Sequence, residues 1–177
     1  MQTAVDELES KGKAARNAGR ALAKLFTTVK DRALLNIADA LGSQQDRILA
    51  ANEKDCDAGR QGGLTEAVLD RLLLDAQRLE GIAADVRDIA ALPDPVGETL
   101  DMRTMPNGMQ VGKVRVPLGV IGAIYESRPN VTVDISALCL KSGNAVILRG
   151  GKEAIHSNSA LAALIIESVT AAGVPRD

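Results

Sequence analysis

The chain has 177 residues, of which 25% are charged, and a net charge of −2. This length allows one ordinary domain with a real core and little more. Basic residues are spread along the chain, so a nucleic-acid footprint is not indicated. Aromatic side chains are almost absent, with one Phe, one Tyr and no Trp, which argues against surfaces that stack bases or sugars.

The number of cysteines and the hydropathy of the chain exclude several further classes of protein. Cys56 and Cys139 are too few for a disulfide scaffold and lack the spacing of a metal site. The N-terminus is charged and has no apolar secretory segment, and no apolar run is long enough to span a membrane. We therefore expect a cytoplasmic protein without a metal site.

The first ninety or so residues predict an amphipathic helical layer whose charged faces are solvated. Apolar residues follow helical spacing until Gly42 ends one segment and Pro93 ends the last. A glycine-rich stretch at 59–63 is expected to break the chain between two of the helices. The predicted helices cover 34–41, 47–57, 64–74 and 79–90.

A β-hairpin is predicted next. Two extended runs, 99–105 and 109–116, flank Asn107-Gly108, and an Asn-Gly pair between such runs is a strong hairpin signal. A two-stranded ribbon is marginal alone, so we expect it to pack on another surface.

After the hairpin the pattern becomes α/β. Residues 119–125 and 145–148 each predict a buried strand. Between them, 131–135 alternates like a strand, but the segment ends with a cation and Gly143, as helices do, and we interpret it as a helix. A last helix is predicted over 153–172. The order strand, helix, strand, helix predicts an open parallel sheet.

Two strands do not make a domain. Residues 173–177 have the pattern of a turn into a third strand. We therefore expect the sequence to be part of a longer chain.

A candidate phosphate site follows the second strand. Gly150 and Gly151 allow close approach of the backbone, and the next helix is expected to offer free N–H groups. Arg149 and Lys152 add two cations suited to phosphate oxygens. The alternative is a tight loop with solvated cations.

A second candidate site follows the first strand, at the same edge of the sheet. It places an acid, a hydroxyl, a guanidinium and an amide in one turn: Glu126, Ser127, Arg128 and Asn130. The alternative is that Ser127 or Asn130 merely caps the next helix.

Two cysteines and one histidine have ordinary explanations that involve no catalysis. Cys139 lies in an apolar helical stretch and is expected to fill the core. Cys56 lies beside two carboxylates, which disfavour a thiolate. His156 has no evident Ser or Cys partner. No pair of nucleophile and base is predicted.

Two blocks of the sequence are distinctive, YESRPN (125–130) and GNAVILRGGKEA (143–154). Together with KGKAARNAGRALA, AANEKD and the hairpin, they resemble the gamma-glutamyl phosphate reductase family, also called glutamate-5-semialdehyde dehydrogenase, within the aldehyde dehydrogenase superfamily, and the two blocks are specific to that family. The resemblance covers essentially the whole chain.

The resemblance implies an aldehyde-dehydrogenase-like α/β fold in three parts. Residues 1–97 would be the helical layer of the cofactor-binding domain, 98–117 a β-hairpin arm for homo-oligomerisation, and 118–177 the first βαβα half of an open parallel Rossmann-like sheet. The catalytic domain, with the nucleophilic cysteine, is expected in a later segment of the family's longer chains. No catalytic residue is therefore assigned in this sequence.

The resemblance also implies an activity and its ligands. The family reduces L-glutamate 5-phosphate with NADPH to L-glutamate 5-semialdehyde and phosphate in proline biosynthesis. Glutamate 5-kinase is a candidate partner, and neither nucleic acid nor membrane is expected as one. The alternatives are a non-catalytic nucleotide-binding or assembly module, and an NADP-dependent aldehyde dehydrogenase with another acyl substrate.

The resemblance gives the two candidate sites distinct roles. Superfamily members commonly hold the cofactor with a Lys at the strand end and an acid three positions later. Those positions are Arg149 and Lys152 here, with Glu153 as the alternative acid, and two cations favour the 2′-phosphate of NADP. In the other turn, Arg128 is a candidate for the substrate carboxylate or phosphate, and Glu126 for the substrate amine. This turn lacks the Trp of the Pro-Trp-Asn turn of many relatives, and Asn130 receives no definite role.

Overall fold

The computed structural model describes residues 4–175, which contain seven α-helices and four β-strands, including a first helix that lies ahead of the individually predicted segments. The helices are α1 (Ala4–Leu22), α2 (Thr27–Ser43), α3 (Gln45–Gln61), α4 (Glu66–Leu72), α5 (Ala76–Ala91), α6 (Asn130–Lys141) and α7 (Ile155–Ala171). The strands are β1 (Thr99–Thr104), β2 (Gln110–Val114), β3 (Val120–Ile124) and β4 (Ala145–Arg149). Helices α2 to α5 form a layer against which α6 and α7 pack, whereas α1 packs on β3 and β4.

The core is aliphatic, as the composition requires. Its centre is a contiguous set of fully buried side chains from α2, α5, α6 and α7, where apolar residues recur at helical spacing. Representative members are Leu34, Leu41, Val86, Val133 and Leu161.

Predicted helix boundaries were wrong in the helical layer, where the helix expected over 64–74 covers only Glu66–Leu72. The second helix continues one residue past Gly42, and α3 continues through Gly59 to Gln61. Gly59 is buried, and a Cβ built on it would lie 2.9 Å from a methyl carbon of Leu64. It therefore serves close packing of α3 on the following turn rather than a break in the helix.

The hairpin forms as predicted. β1 pairs antiparallel with β2, with an irregularity between Leu100 and Arg103. In its turn, Gly108 has φ +83°, and the Asn107 side chain accepts a hydrogen bond from the Met109 N–H at 3.1 Å. Almost every residue of both strands is exposed, so the ribbon projects from the helical body.

The predicted parallel sheet is also present. β3 pairs with β4 in register from Val120 opposite Ala145 to Ile124 opposite Arg149, and α6 makes the crossover. The ambiguous segment 131–135 is helical. The expectation that the first strand is buried was wrong, because one face of β3 is open and Ile124 is 81% exposed.

The expectation of uniformly solvated charged faces was also wrong. Lys30 of α2 is 1% exposed, forms an ion pair with Asp94 and donates a hydrogen bond to the carbonyl of Lys141. Lys141 is itself buried at the end of α6 and donates to Asp31 Oδ1 at 2.6 Å and to the Ala90 carbonyl at 2.7 Å. The two lysines therefore join α2, α5 and α6 through hydrogen-bonded charges.

Within residues 4–175, no helix combines the length and apolarity needed to cross a bilayer.

Candidate functional site

The two polar loops that the sequence singled out lie side by side. Ile124 and Arg149 are partners at the carboxyl ends of the parallel strands, and the Tyr125 N–H donates to the Arg149 carbonyl at 3.1 Å. A polar loop follows each of these two strands. We call residues 125–130 and 149–153 together the strand-end site.

The cations of the strand-end site are free. The side chains of Arg128, Arg149 and Lys152 are exposed, and among the described residues none of the three pairs with a carboxylate. Unpaired guanidinium and ammonium groups beside one another at strand ends can bind an anionic ligand without first breaking an internal ion pair.

Glu153 connects the two loops. One oxygen of its carboxylate, Oε1, accepts hydrogen bonds from the Ser127 N–H at 2.9 Å and from Ser127 Oγ at 2.8 Å. Ser127 has φ +38°, a left-handed conformation that costs free energy for a residue with a side chain, so these bonds help to hold the turn. Hydrogen bonds from its own backbone N–H and from Ser127 lower the pKa of Glu153, and the charge of Lys152 adds to that effect.

The two glycines of the strand-end site lie against internal side chains. A Cβ at Gly150 would meet the Asn158 amide, and one at Gly151 would meet the Glu153 carboxylate as it turns back toward Ser127. Neither glycine has a positive φ. Both contacts are with the ends of side chains that can shift, so contact of the two glycines with a cofactor stays a prediction.

The expectation that the next helix offers free N–H groups was wrong. A 3-10 turn at Lys152–Ala154 precedes α7, and the buried Asp55 of α3 occupies the start of that helix. Its carboxylate accepts from the His156 N–H at 3.1 Å, the Ser157 N–H at 2.7 Å and Ser157 Oγ at 2.6 Å. An internal acid thus takes the place that a phosphate would need.

The simple capping alternative for the first turn is not what the structure shows. The residue before α6 is Pro129, and no side chain caps the helix. Asn130 is the first helical residue, and its Nδ2 donates to Asp134 Oδ2 at 3.1 Å. Ser127 is held by Glu153 instead, a contact between residues 26 positions apart that no local pattern indicates.

The predictions for the two cysteines are confirmed. Cys56 and Cys139 are buried free thiols, and burial raises the pKa of both. His156 is exposed at the first turn of α7. Among the described residues, no group of three or more His, Cys, Asp or Glu side chains could hold a metal ion.

A cleft of about 280 Å³ adjoins the strand-end site at Asn130. The start of α5 and the end of α4 form its walls, and neither Glu126 nor Arg128 lines it. Its lining residues are Arg71, Leu73, Leu74, Arg78, Gly81, Ile82, Asp85 and Asn130.

Comparison with known proteins finds relatives in sequence and matches in structure. The chain is 59% identical over 169 residues to the gamma-glutamyl phosphate reductase of Moorella thermoacetica, covering 96% of this chain and 40% of that protein. The crystal structure of gamma-glutamyl phosphate reductase from Thermotoga maritima matches with a TM-score of 0.94 at 40% identity, over 97% of this chain and 41% of that one. An NAD-dependent benzaldehyde dehydrogenase from Corynebacterium glutamicum shares the fold at a TM-score of 0.73 and 19% identity, over 99% of this chain and 35% of that one.

These matches confirm the resemblance and the aldehyde-dehydrogenase-like α/β fold that the sequence implies. The chain spans about 40% of the length of the curated relatives that it matches. It matches no family model.

Proposed function

We propose that this chain, homologous along its length to gamma-glutamyl phosphate reductases, supplies the cofactor-binding part of such an enzyme. The complete enzyme would reduce L-glutamate 5-phosphate to L-glutamate 5-semialdehyde and phosphate, a step of proline biosynthesis in the cytoplasm. Identity of 59% over 96% of the chain is the main support for this proposal.

The cofactor is a nicotinamide dinucleotide, for which we propose NADPH. It would supply the hydride when bound. The supporting observation is the pair of exposed, unpaired cations, Arg149 and Lys152, which suits a 2′-phosphate beside the ribose. Gly150 and Gly151 form the loop between the two cations. Glu153 is engaged with Ser127, which makes it a poor ribose ligand.

The substrate side of the proposal uses the turn from Glu126 to Asn130. Arg128 would pair with an anionic end of the substrate and Glu126 with its amine, since both side chains are exposed and unpaired among the described residues. Ser127 and Asn130 would position this turn, because each hydrogen-bonds to a neighbouring carboxylate.

The nucleophile is expected outside this sequence, since both cysteines here are buried with raised thiol pKa values. We propose the division into a helical layer (1–97), an oligomerisation arm (98–117) and half of a nucleotide-binding sheet (118–177). The projecting hairpin supports the arm, through which the enzyme would form a homo-oligomer. Glutamate 5-kinase, which makes the acyl phosphate, is a proposed partner.

The test uses the protein from the whole reading frame, assayed for NADPH-dependent reduction of L-glutamate 5-phosphate. Lys152→Glu should weaken NADPH binding roughly tenfold and NADH binding far less, because it places a negative charge beside the 2′-phosphate. Lys24→Glu is the matched control, since Lys24 is an exposed, unpaired lysine, and the nearby Leu22 lies against Gly143, which precedes β4 at the other edge of the sheet.

Three outcomes would contradict parts of the proposal. Equal losses for the two cofactors would remove Lys152 from the 2′-phosphate site. Turnover of other acyl substrates but not glutamyl phosphate would favour a different NADP-dependent aldehyde dehydrogenase. NADPH binding with no turnover of any acyl phosphate or aldehyde would favour a non-catalytic binding module.

A further inference from the structure

The cleft beside Asn130 contains both signs of charge on an apolar wall. Its charged lining residues include Arg71 at the end of α4 and Asp85 on α5. Leucine and isoleucine residues also line it, and a Cβ on Gly81 of α5 would meet no atom within 4 Å. A pocket of this size and composition suits a small, doubly charged molecule rather than a large apolar one.

The two arginines of the cleft differ in their freedom. Arg78 is fixed, because its guanidinium donates to the carbonyls of Asp70 and Leu73 and to Asp70 Oδ1 at 2.6 Å. Among residues 4–175, Arg71 has neither an ion pair nor a hydrogen bond through its side chain. Arg71 is thus the cation of the cleft that is available to a ligand.

The acid of the cleft also lacks an ion-pair partner among the described residues. Asp85 forms no ion pair with any described residue, and its charge acts on Asp134, the hydrogen-bond partner of Asn130. Burial raises the pKa of Asp134, the Asn130 hydrogen bond opposes this, and the charge of Asp85 adds to the rise. Two carboxylates that destabilise one another would both be stabilised by a bound ammonium group.

We propose that this cleft binds the α-amino acid end of the substrate, with Arg71 pairing with the α-carboxylate and Asp85 with the α-ammonium. An α-amino acid carries these two charges on one carbon, and a cleft lined by an unpaired guanidinium and an unpaired carboxylate is complementary to it. The reacting end of the molecule would then extend past Asn130 toward the strand-end site. This inference rests on the proposed function and names the residues that select its substrate.

This assignment of the cleft changes the roles expected of Glu126 and Arg128 in the turn after β3. If Arg71 and Asp85 take the two charges of the amino acid, Arg128 is left for the phosphate, and Glu126 does not bind the amine. Glu126 and Arg128 do not line the cleft, which is the observation that favours the new assignment.

The experiment compares three aldehydes in the oxidative direction, with NADP⁺ and phosphate, on the complete protein. They are L-glutamate 5-semialdehyde, 4-aminobutanal, which lacks the α-carboxylate, and 5-oxopentanoate, which lacks the α-amine. Arg71→Ala should lower kcat/KM roughly 10- to 100-fold for the two carboxylates and leave 4-aminobutanal nearly unchanged. Asp85→Asn should instead lower kcat/KM for the two aldehydes that carry an amine and leave that for 5-oxopentanoate nearly unchanged.

Arg16→Ala, an exposed and unpaired arginine on α1, is the control for loss of a surface cation. Equal losses on all three aldehydes would mean a structural role and overturn the inference. The same selective pattern in Arg128→Ala and Glu126→Gln, but not in the cleft variants, would also overturn it.

Calorimetric binding of L-glutamate, 4-aminobutanoate and glutarate separates this inference from the proposed function. Selective loss of L-glutamate and glutarate affinity in Arg71→Ala supports the cleft even if the protein turns over no aldehyde, in which case only the proposed function fails. Turnover of the semialdehyde without any selective effect of Arg71→Ala or Asp85→Asn overturns the inference alone.

Discussion

The buried charges between the packed helices and the exposed charges of the strand-end site differ in whether they have partners within the protein. Lys30, Lys141 and Asp55 are nearly inaccessible, and each is satisfied by carboxylates, hydroxyls or backbone groups. Arg149 and Lys152 are exposed and pair with no described acid. Across the described residues, no buried side-chain nitrogen or oxygen lacks a partner.

This difference distinguishes charges that stabilise the fold from charges that can bind a ligand. A buried ion is stable only when its partners replace the water it has lost, so removing a partner costs folding free energy. An exposed, unpaired cation costs little and keeps its hydrogen-bonding capacity for a ligand. Substitutions in the first group should therefore change stability, and those in the second should change binding.

The largest effect is expected at Asp55. Asp55→Ala removes the acceptor of three donors at the buried start of α7 and should lower the free energy of unfolding by about 3 kcal/mol. Urea denaturation of the complete protein measures this. Asp57→Ala, two residues away and paired with Arg60 at the surface, should cost less than about 0.5 kcal/mol. Similar losses in both variants would show that the buried cap has no special role.

A smaller loss, with a distinct pH dependence, is expected at Lys30. Burial opposes ionisation of Asp94, but hydrogen bonds led by that from Lys30 hold its pKa below the usual 3.8. A lowered pKa means that this stabilisation is complete above about pH 4 and is lost as the pH falls through the lowered value. Lys30→Met should therefore cost about 2 kcal/mol at pH 7 and progressively less below pH 4.

Unfolding free energies measured from pH 2 to 7 test this expectation, with Lys24→Met, an exposed lysine, as the control. A pH-independent difference between Lys30→Met and the unsubstituted protein would contradict the role of the ion pair with Asp94.

The smallest effect on stability is expected at Glu153. Its carboxylate holds the fold, as the buried charges do, but its side chain is partly exposed, as are those of the strand-end cations. Glu153→Ala should cost about 1 kcal/mol and speed hydrogen exchange of the Ser127 amide, whose acceptor it removes. Glu153→Gln keeps an acceptor oxygen and should restore most of the protection. Glu126→Ala, in the same turn, should leave exchange at Ser127 unchanged, and a matching increase there would contradict the role of Glu153.

Periodic and local signals were enough to predict most of the fold. Helical spacing of aliphatic residues located α2 and α5, and Asn107-Gly108 located the hairpin turn. The parallel pairing of β3 with β4 followed from the strand-helix-strand order. The break predicted over 59–63 begins at Gly62 rather than at Gly59, because a buried glycine in close packing and a helix-ending glycine look alike in sequence.

The candidate site was predictable only in part, because its decisive contacts are long-range. Strand order alone placed the two polar loops at one edge of the sheet. The contacts of Glu153 with Ser127 and of Asp55 with the start of α7 join residues 26 and about 100 positions apart. No spacing rule indicates such contacts, and the same is true of the cleft that brings Arg71 near Asn130.

The packing of α1 has a consequence for biosynthesis. This helix packs on β4, and a Cβ at Gly19 would lie 2.8 Å from the Gly119 carbonyl, so its docking surface is made of residues from the other end of the chain. That surface leaves the ribosome roughly 120 residues after α1 does, which takes on the order of 6 to 25 s. During this interval the nascent helix has no native partner for its apolar side, which makes it a natural point of engagement for chaperones.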